Sequence, residues 1–333
     1  MARPTRTTTY ATNGTTTMSE HDAEPSGDQP TDTAVDPPAE SPADAADEMR
    51  SGFVALAGRP NVGKSSLTNA IVGQKVTIVS PRPQTTRHEI RGMLTTATSQ
   101  LILVDTPGVH KPKTAMGKRL NRTAKEARED TDATVLVVDA SKGVGGPGDA
   151  RLMAAMPDDV IVAINKIDRL PQEQVLAAIK DASSLARRFE KGSVEFFPIS
   201  ARTSQGVPEL TEHLIGRLPP GPLWYPEDQV RDTGEGFWVA ELVREQLLAT
   251  AREELPHSIA TRCVEMNWPY VEVEILVERI SQKGMVIGHQ GENLKRAGTG
   301  ARKLLPEGTH LELKVKVNRD WQRKDAELDK LGY

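Results

Sequence analysis

One segment of eight residues restricts the fold of this chain more than any other feature. Residues 58–65 read Gly-Arg-Pro-Asn-Val-Gly-Lys-Ser, which is the pattern G-x-x-x-x-G-K-[ST] between an apolar run and a helix-forming run. Glycines in this pattern let backbone N–H groups curl around phosphate oxygens, and the following helix points its positive dipole end at the same anion. The alternative is a chance match in an ordinary glycine loop. The strand–helix context favours a phosphate-binding loop, here called the P-loop.

Five short apolar runs, separated by helical stretches, extend this unit into a sheet. The runs are apolar throughout rather than alternating, as expected of strands covered on both faces. The predicted strands are Phe53–Ala57, Leu101–Val104, Thr134–Val138, Val160–Ile164 and Glu195–Ile199, and the predicted crossover helices are Lys64–Val72, Ala115–Glu129 and Glu173–Phe189. The sequence therefore predicts an α/β domain with a doubly wound, mostly parallel sheet.

Three further motifs follow the ends of predicted strands. They are Asp105-Thr106-Pro107-Gly108, Asn165-Lys166-Ile167-Asp168 and Ser200-Ala201. Ligands of open α/β sheets bind at the carboxyl ends of the strands. The Asp168 carboxylate would accept hydrogen bonds from N1–H and the 2-amino group of guanine, whereas adenine would leave this carboxylate unpaired at a large cost. The predicted ligand is therefore GTP or GDP.

The predicted nucleotide contacts come from all four motifs. Lys64 is expected to reach the β- and γ-phosphates, Asn165 to support the purine edge, and Lys166 to pack along the base. A backbone amide of Ser200-Ala201 is expected to face the guanine 6-oxo group. The full set is Gly58, Arg59, Pro60, Asn61, Val62, Gly63, Lys64, Ser65, Ser66, Asp105, Thr106, Pro107, Gly108, Val109, Asn165, Lys166, Asp168, Ser200 and Ala201.

Magnesium is predicted at three oxygen ligands: Ser65, Asp105 and Thr86. Thr86 belongs to the stretch Gln84-Thr85-Thr86-Arg87. A switch loop needs a hydroxyl that coordinates Mg²⁺ only when the γ-phosphate is present. Thr85 is the alternative ligand, and a surface turn with idle threonines is the simplest interpretation. Lys64, Thr86 and Gly108, whose amide would touch the γ-phosphate, form the predicted catalytic set.

The position that orients water in Ras-like enzymes holds Val109, which cannot do so. Either another group positions the water or turnover requires a partner. Asn61 suggests one answer, because GTPases with Asn at this P-loop position can hold a monovalent cation beside the phosphates. Activation by K⁺ is therefore a hypothesis, and a loop-stabilising role for Asn61 is its alternative.

A second, α+β domain is predicted after the proline-rich stretch Leu218–Pro226, which cannot continue a helix or a central strand. Its predicted elements are a helix (Gly236–Glu254), two alternating strands (Ser258–Asn267 and Tyr270–Ile280), a glycine turn with a basic helix (Gly288–Leu305) and a strand (Thr309–Val317). Residues 279–324 hold eleven Lys or Arg against four acidic residues, a net charge of +7.

The glycine turn Gly288-His289-Gln290-Gly291 has the G-x-x-G pattern of KH domains. Such a turn lets the backbone approach a sugar–phosphate chain closely. Alone it is a common tight turn, and a basic run alone is a solvated helix face; the two together favour RNA. Single-stranded RNA is favoured over duplex DNA because no helix-turn-helix or zinc signature is present. The predicted RNA contacts are Ile287, Gly288, His289, Gln290, Gly291, Lys295 and Arg296.

Residues 1–50 contain three basic and ten acidic residues, a net charge of −7, and few large apolar side chains. Such a segment cannot bury enough surface to offset its ordering entropy, so a disordered tail is predicted. The single cysteine, Cys263, excludes an intrachain disulfide and reads as a packing residue. No apolar run approaches the roughly 18 residues of a membrane span. The predicted organisation is a tail (1–50), an α/β domain (51–218), a linker (219–230) and a KH domain (231–333).

Over residues 51–333 the chain resembles the bacterial Era GTPases. The matching stretches include GRPNVGKSSLTNAIVG, QTTRH, DTPGVHKP, NKID, PISA, LPPGPLWYPEDQV, EELPHSIA, VIGHQGENLK and the final LGY. The resemblance implies a P-loop GTPase domain followed by a type II KH domain. It also implies a monomeric, cytoplasmic assembly factor of the 30S subunit that binds 16S ribosomal RNA near its 3′ end. Weak peripheral association with the cell membrane is implied as well. His289-Gln290 stands where a relative can carry a basic residue, and the acidic tail has no counterpart in the family core.

The main prediction is a switch that holds RNA when GTP is bound and releases it after hydrolysis, and three other functions are alternatives. An RNA-binding module with structural GTP is compatible with Val109. A nucleotide kinase shares the P-loop, but the NKID motif and the missing acceptor signature disfavour it. A membrane scaffold is the last alternative.

Overall fold

The first half of the structure is a six-stranded sheet with helices on both faces. The computed structural model describes residues 49–109, 115–250 and 255–333. The predicted disordered tail, apart from Met49 and Arg50, lies outside the described residues. His110, Lys111 and Pro112 of the DTPGVHKP stretch also lie outside them.

The elements of this domain alternate along the chain between strands and helices, except that the third strand directly follows the second. They are β1 (Arg50–Gly58), α1 (Lys64–Val72), β2 (Ile90–Thr95), β3 (Ser99–Asp105), α2 (Ala115–Glu129), β4 (Ala133–Asp139), α3 (Pro147–Ala154), β5 (Ile161–Asn165), α4 (Gln172–Arg188), β6 (Glu195–Ile199) and α5 (Val207–Gly216). The strand order is β2-β3-β1-β4-β5-β6, and every pair except β2–β3 is parallel. The predicted mostly parallel α/β sheet is confirmed.

The sheet is buried on both faces, as the uninterrupted apolar strands predict. On one face α1 and α5 pack Leu67, Leu210 and Leu214 against β1 and β3. On the other face α3 and α4 pack Met153 and Ala182 against β4 and β5. The carboxyl ends of the parallel strands therefore meet at one edge, where the predicted motifs follow them.

Strand β2 has no counterpart among the five predicted strands. Its sequence, Ile-Arg-Gly-Met-Leu-Thr, mixes polar and apolar residues because β2 is an antiparallel edge strand. The outer side of β2 is partly covered by the segment between the domains, where the Met93 N–H donates to the Val230 carbonyl at 2.9 Å. An uninterrupted apolar run is a poor signal for such a strand.

The second domain has three strands in the order β7-β8-β9, with β7–β8 antiparallel and β8–β9 parallel. Its elements are α6 (Glu235–Thr250), α7 (Leu255–Ser258), β7 (Ala260–Asn267), β8 (Tyr270–Val277), α8 (Ile280–Ile287), α9 (Glu292–Arg302), β9 (His310–Val317) and α10 (Asp325–Lys330). The order of helices and strands is that of a type II KH domain, as predicted. Residues 251–254 of the predicted helix Gly236–Glu254 lie outside the described residues.

The prediction of a strand through Ile280 was wrong at its end. Strand β8 stops at Val277 and Ile280 begins α8. The Gln282 side chain accepts hydrogen bonds from the N–H groups of Glu278 and Arg279, at 2.9 and 3.0 Å, and so caps the new helix. This cap satisfies two donors that a helix start would otherwise leave open. The apolar alternation of β8 ends at Val277, because the next position in phase is Arg279, so the pattern itself marks the end of the strand.

Candidate nucleotide-binding and RNA-binding sites

The P-loop connects β1 to α1 in the predicted manner. Gly63 has φ 105°, and a Cβ atom there would lie 2.2 Å from Nδ2 of Asn165, so both backbone and space require glycine. Lys64 begins α1 with its side chain buried, and its Nζ lies 3.4 Å from the Gly58 carbonyl oxygen. Burial lowers the pKa of Lys64, and the Asp105 carboxylate opposes that shift. The ammonium group thus lies inside the loop, beside a carboxylate.

The three predicted magnesium ligands lie together. Ser65 Oγ is 2.8 Å from Thr86 Oγ1, and Thr86 Oγ1 donates to Asp105 Oδ2 at 3.4 Å. Thr85 instead directs its hydroxyl at the Arg82 carbonyl, 2.8 Å away. The Asp105 Oδ1 atom is buried and has no hydrogen-bond partner among the described residues. Two hydroxyls and an unsatisfied carboxylate oxygen suit a hard divalent cation such as Mg²⁺.

The electrostatics of Asp105 reflect its burial at the end of β3. Burial raises the pKa of its carboxyl group, while Lys64 and the hydroxyls of Ser65 and Thr86 oppose the shift. The segment that follows returns to the P-loop: Gly108 lies directly against Pro60, and the Val109 N–H donates to the Gly58 carbonyl at 3.3 Å. Val109 itself packs on the apolar core beneath. Its side chain has no polar atom to orient a water molecule.

Asn165 joins the two loops that would hold phosphate and base. Its Nδ2 donates to the Val62 carbonyl at 2.8 Å, and its Oδ1 accepts from the N–H groups of Lys166 and Ala201 at 2.8 and 3.0 Å. The sequence suggested that Asn165 supports the purine edge. In the structure its amide is bonded to the backbone of the P-loop and of the Ser200-Ala201 loop, so its support for the base would be indirect.

The Asp168 carboxylate lies in the cavity beside that loop, with only 7% of its side chain exposed. Its Oδ1 accepts from Ser200 Oγ at 2.7 Å and its Oδ2 from Arg202 Nε at 3.0 Å. Burial acts to raise the pKa of Asp168, but the bonds from Ser200 and Arg202 outweigh it and hold the pKa below its ordinary value. The Asp168 carboxylate is therefore ionised and held by two hydrogen bonds. Arg202, 70% exposed at the rim, was not among the predicted residues.

Lys166 is fixed by a partner that the motifs did not include. Its Nζ lies 2.6 Å from Asp139 Oδ2 and also donates to the Asn61 carbonyl oxygen. Asp139 is the last residue of β4, so its place at a strand tip is the one signal that could have found it. The Asn61 side chain donates to the Pro81 carbonyl at 2.7 Å. That contact matches the loop-stabilising alternative.

These residues line two cavities at the carboxyl edge of the sheet. The first, of about 410 Å³, is bordered by the P-loop, Thr86 and Gly108. The second, of about 600 Å³, is bordered by Asn165, Asp168 and Ala201. Gly63, Ser66, Lys166 and Arg169 border both cavities, so they adjoin. Phosphates in the first cavity and a purine in the second would form one elongated ligand.

The G-x-x-G turn lies between α8 and α9, as the KH pattern predicts. Gly288 has φ 75°, and a Cβ atom there would lie 2.7 Å from Nδ2 of Asn293. Asn293 in turn donates to the Met285 carbonyl at 3.0 Å, which braces the turn against α8. His289 and Gln290 are exposed at its tip. The structure thus brings the predicted turn together with Lys295 and Arg296, which are exposed in the first turns of α9.

Part of the basic charge counted from the sequence is neutralised. Lys314 forms an ion pair with Glu272 at 2.6 Å, and Lys316 pairs with Glu274, which also binds Arg262 at 2.7 Å. These pairs lie on the three-stranded sheet, away from the turn. The charge that remains for a phosphate backbone is smaller than +7 and is concentrated on α8, α9 and their ends.

Comparisons with known proteins agree with both halves of this description. Residues 53–166 match the family described as 50S ribosome-binding GTPase, and residues 254–322 match the KH domain. The chain is 42% identical over 302 residues to GTPase Era of Mycolicibacterium smegmatis, covering 86% of this chain and 99% of the relative. It is 43% identical over 303 residues to GTPase Era of Mycobacterium tuberculosis, with the same coverage. The chain belongs to the Era family of GTPases.

The reaction is therefore the hydrolysis of GTP to GDP and phosphate, as predicted. Two solved Era structures share the whole arrangement at 34% identity, each covering 86% of this chain and 99% of its own. One is Era in complex with MgGDPNP and nucleotides 1506–1542 of 16S ribosomal RNA, with a TM-score of 0.79. The other is an Aquifex aeolicus Era variant bound to GDP and AlF₄⁻, with a TM-score of 0.77. In the parts of the chain that the structure describes, no helix is both long and apolar enough to cross a membrane.

Proposed function

We propose that this chain is a GTP-controlled switch that binds the 3′ region of 16S ribosomal RNA and assists assembly of the 30S subunit. The observation that carries the nucleotide half is the convergence of Ser65, Thr86 and Asp105, with an unsatisfied oxygen on Asp105, beside the buried Lys64. Three oxygens from three separate segments meet there: Ser65 at the start of α1, Thr86 in the loop between α1 and β2, and Asp105 at the end of β3.

The residues around this point divide the work of phosphate binding. The P-loop amides and Lys64 would surround the β- and γ-phosphates, and Ser65, Thr86 and Asp105 would hold Mg²⁺. When bound, Mg²⁺ neutralises charge on the phosphate oxygens. Lys64 and the Gly108 amide would stabilise the charge that develops on the transferred phosphoryl group. Thr86 lies in a loop, so its contact with Mg²⁺ would depend on the position of that loop. A loop position set by the γ-phosphate would then distinguish GTP from GDP.

Guanine selection would rest on Asp168, since its ionised carboxylate is the acceptor that N1–H and the 2-amino group need. Ser200 and Arg202 each donate a hydrogen bond to that carboxylate. An adenine base has neither the N1–H nor the 2-amino donor, so the carboxylate would lose hydrogen bonds that are worth about 1–3 kcal/mol to a charged group. Asn165 would keep the base loop and the P-loop at a fixed separation through its bonds to Ala201 and Val62.

The group that positions the attacking water is supplied in some way other than by residue 109, since Val109 is apolar. We propose that a K⁺ ion held near Asn61, beside the phosphates, activates hydrolysis. Hydrolysis rates in K⁺ and Na⁺ buffers of equal ionic strength test it. An unchanged rate would remove the cation and leave Asn61 with the role suggested by its bond to Pro81.

The RNA half of the proposal rests on the braced glycine turn and on the Era structure that contains 16S ribosomal RNA. Backbone groups of Gly288–Gly291 would approach the sugar–phosphate chain, while Lys295 and Arg296 neutralise phosphates. The domain limits 51–218, 219–230 and 231–333 belong to the same proposal. So do a monomeric state, a cytoplasmic location and weak peripheral membrane association, which rest on the family resemblance alone.

The decisive experiment measures GTP hydrolysis by the full chain with and without an RNA that matches the 3′ region of 16S ribosomal RNA. A rate that changes several-fold with this RNA, but not with a scrambled RNA of equal length, supports the switch. A slow rate that is indifferent to RNA and K⁺, while RNA still binds, supports the alternative of an RNA-binding module with structural GTP. Asp168→Asn, which should shift preference from guanine toward xanthine nucleotides, controls for contaminating hydrolases.

A further inference from the structure

The loop that carries Thr86 is held from outside by the second domain. At the start of the loop, Glu245 of α6 accepts hydrogen bonds from the Val79 N–H at 2.8 Å and from Lys75 Nζ at 2.7 Å. Just before Thr86, the Arg244 guanidinium of α6 donates to the Thr85 carbonyl oxygen. Two neighbouring residues of one helix thus fix the loop at Val79 and at Thr85, and both of these residues line the first cavity.

Arg244 is itself held rigidly. It forms a buried ion pair with Glu241, one helical turn earlier, through Nε at 2.7 Å and Nη2 at 2.6 Å. Both side chains are almost fully buried, with 1% and 4% of their surfaces exposed. A guanidinium fixed in this forked geometry has little freedom. The position of the Thr85 carbonyl is therefore tied to the position of α6.

Immediately after Thr86, two further side chains of the loop are anchored in the second domain. The Arg87 guanidinium is buried and donates to the carbonyl oxygens of Pro256 and Ile259, at 3.0 and 2.7 Å. The His88 ring stacks on the Tyr333 ring with centroids 4.5 Å apart, and its Nε2 lies 2.9 Å from the Leu331 carbonyl oxygen. Thr86 is thus bracketed on both sides by contacts with the other domain.

Helix α6 also contacts the RNA-binding half of its own domain. Its buried residues Val239, Leu242 and Val243 belong to the same apolar core as Ala297 and Ala301 of α9. Helix α9 starts directly after the G-x-x-G turn. A displacement of α9 would therefore shift α6, which packs against it. Through Arg244, α6 would in turn shift the peptide bond between Thr85 and Thr86.

We propose that Arg244 and Glu245 of the second domain are positioning residues for GTP hydrolysis, which set the place of Thr86 at the magnesium site. This inference rests on the proposed role of Thr86. It means that the α/β domain does not complete its own hydrolytic site: one ligand-bearing loop is positioned by the RNA-binding domain. Ligand groups must be held within about 0.5 Å of their productive places, so small movements of α6 are sufficient.

The test uses the full chain with conservative substitutions. Arg244→Lys keeps the charge beside Glu241 but loses the forked geometry that reaches Thr85. Glu245→Gln is a second route to the same loop if the first variant folds poorly, as judged by melting temperature and near-ultraviolet circular dichroism. Asp329→Asn is the matched control, because it removes the exposed inter-domain ion pair to Arg119, 2.6 Å long, without touching the loop.

Each variant is assayed for kcat, for the Mg²⁺ concentration that gives half-maximal hydrolysis, and for GDP affinity. Misplacement of a ligand group by about 1 Å can cost 10²-fold in rate, so kcat of Arg244→Lys should fall between about 10- and 100-fold. The Mg²⁺ requirement should rise while GDP affinity stays within about twofold, since GDP contacts lie elsewhere. Asp329→Asn should match the wild type in all three.

Three results would each overturn one of these assignments. Wild-type kcat and Mg²⁺ dependence in both Arg244→Lys and Glu245→Gln would refute the positioning role, provided that Thr86→Ala loses activity. Wild-type hydrolysis in Thr86→Ala would instead refute the proposed magnesium role of Thr86, whatever the α6 variants do. Equal losses in Arg244→Lys and Asp329→Asn would mean that any weakening of the domain contact slows hydrolysis, and the specific assignment would fall.

Discussion

Replacement of Asn165 by alanine should weaken nucleotide binding as well as stability. The Asn165 amide makes three hydrogen bonds to backbone groups of Val62, Lys166 and Ala201. At about 1 kcal/mol for each bond, the free energy of unfolding should fall by about 3 kcal/mol. A change of 1 kcal/mol shifts Tm by about 2–4 °C in a domain of this size, so a fall of about 6–12 °C is expected.

The effect on binding has a separate cause. The bonds from Asn165 to Val62 and to Ala201 join the P-loop to the Ser200-Ala201 loop. The P-loop would hold the phosphates, and the Ser200-Ala201 loop would hold the base. Without Asn165 the nucleotide itself must order the two loops. If that costs about 1.4 kcal/mol, GDP affinity falls about tenfold. The measurements are thermal melts of the nucleotide-free protein and titrations with a fluorescent GDP analogue.

Gln100→Ala provides the matched control. Gln100 is fully buried, and its Oε1 accepts from the N–H groups of Trp224 and Tyr225 at 2.8 and 3.0 Å, while its Nε2 donates to the Tyr225 carbonyl at 2.9 Å. These bonds fasten the segment between the domains, far from the cavities. Gln100→Ala should lower Tm by a similar amount and leave GDP affinity unchanged. If both variants bind GDP as the wild type does, Asn165 only stabilises the fold.

Two further substitutions test single features of the sites. Arg202→Ala removes an exposed partner of Asp168; since such pairs are worth at most about 1 kcal/mol, GDP affinity should rise by up to about fivefold as guanine no longer competes with Arg202. A loss of GDP affinity in the same titration would instead make Arg202 a support for the carboxylate. Gly288→Ala places a methyl group against Asn293 and should abolish RNA binding in an anisotropy assay without slowing GTP hydrolysis. Gly284→Ala, which meets no atom within 4 Å, is its control, and equal RNA binding by both variants would contradict the role of the turn.

Most of the nucleotide site could be predicted because each motif is short and continuous. The parallel strands carry Asp105, Asn165 and Ser200 to the same edge of the sheet, so knowing the strand ends is enough to bring them together. Thr86 could be preferred to Thr85 from geometry alone, and the structure places its hydroxyl between Ser65 and Asp105. Each motif determines its own local structure, and the parallel sheet brings the motifs together at one edge.

The partners of these residues could not be predicted in the same way. Arg202 reaches Asp168 across 34 positions, and Asp139 reaches Lys166 across 27. Neither pair has a spacing that repeats or a pattern that stands out from other surface charges. The charge count of the second domain failed for a related reason. Lys314 and Lys316 of β9 pair diagonally with Glu272 and Glu274 of the neighbouring strand β8, and this register is a property of the folded sheet rather than of the sequence around each lysine.

Helix α6 shows why the contact between the domains could not be predicted from the sequence either. Its charged residues Glu241, Arg244 and Glu245 are spaced three and four apart, as on the solvent face of an amphipathic helix, yet all three are buried. The partners of Arg244 and Glu245 in the α/β domain lie more than 150 positions away. A charged helical stripe predicts exposure unless a second surface covers it, and only the folded chain supplies that surface.

The contact between the domains therefore has two chemically different parts. Beside α2 it is apolar, where Met116 and Leu120 pack with Trp321 and Leu328. Around the Thr86 loop the contacts are mainly polar: the ion pair between Lys75 and Glu245 and hydrogen bonds to carbonyl oxygens, beside the buried side chain of Ile78. Opening an apolar contact exposes surface that water solvates poorly, whereas the charged groups of the polar part regain hydration when they separate. The polar part is thus the one that can open at lower cost, and it is the part that holds the loop carrying Thr86.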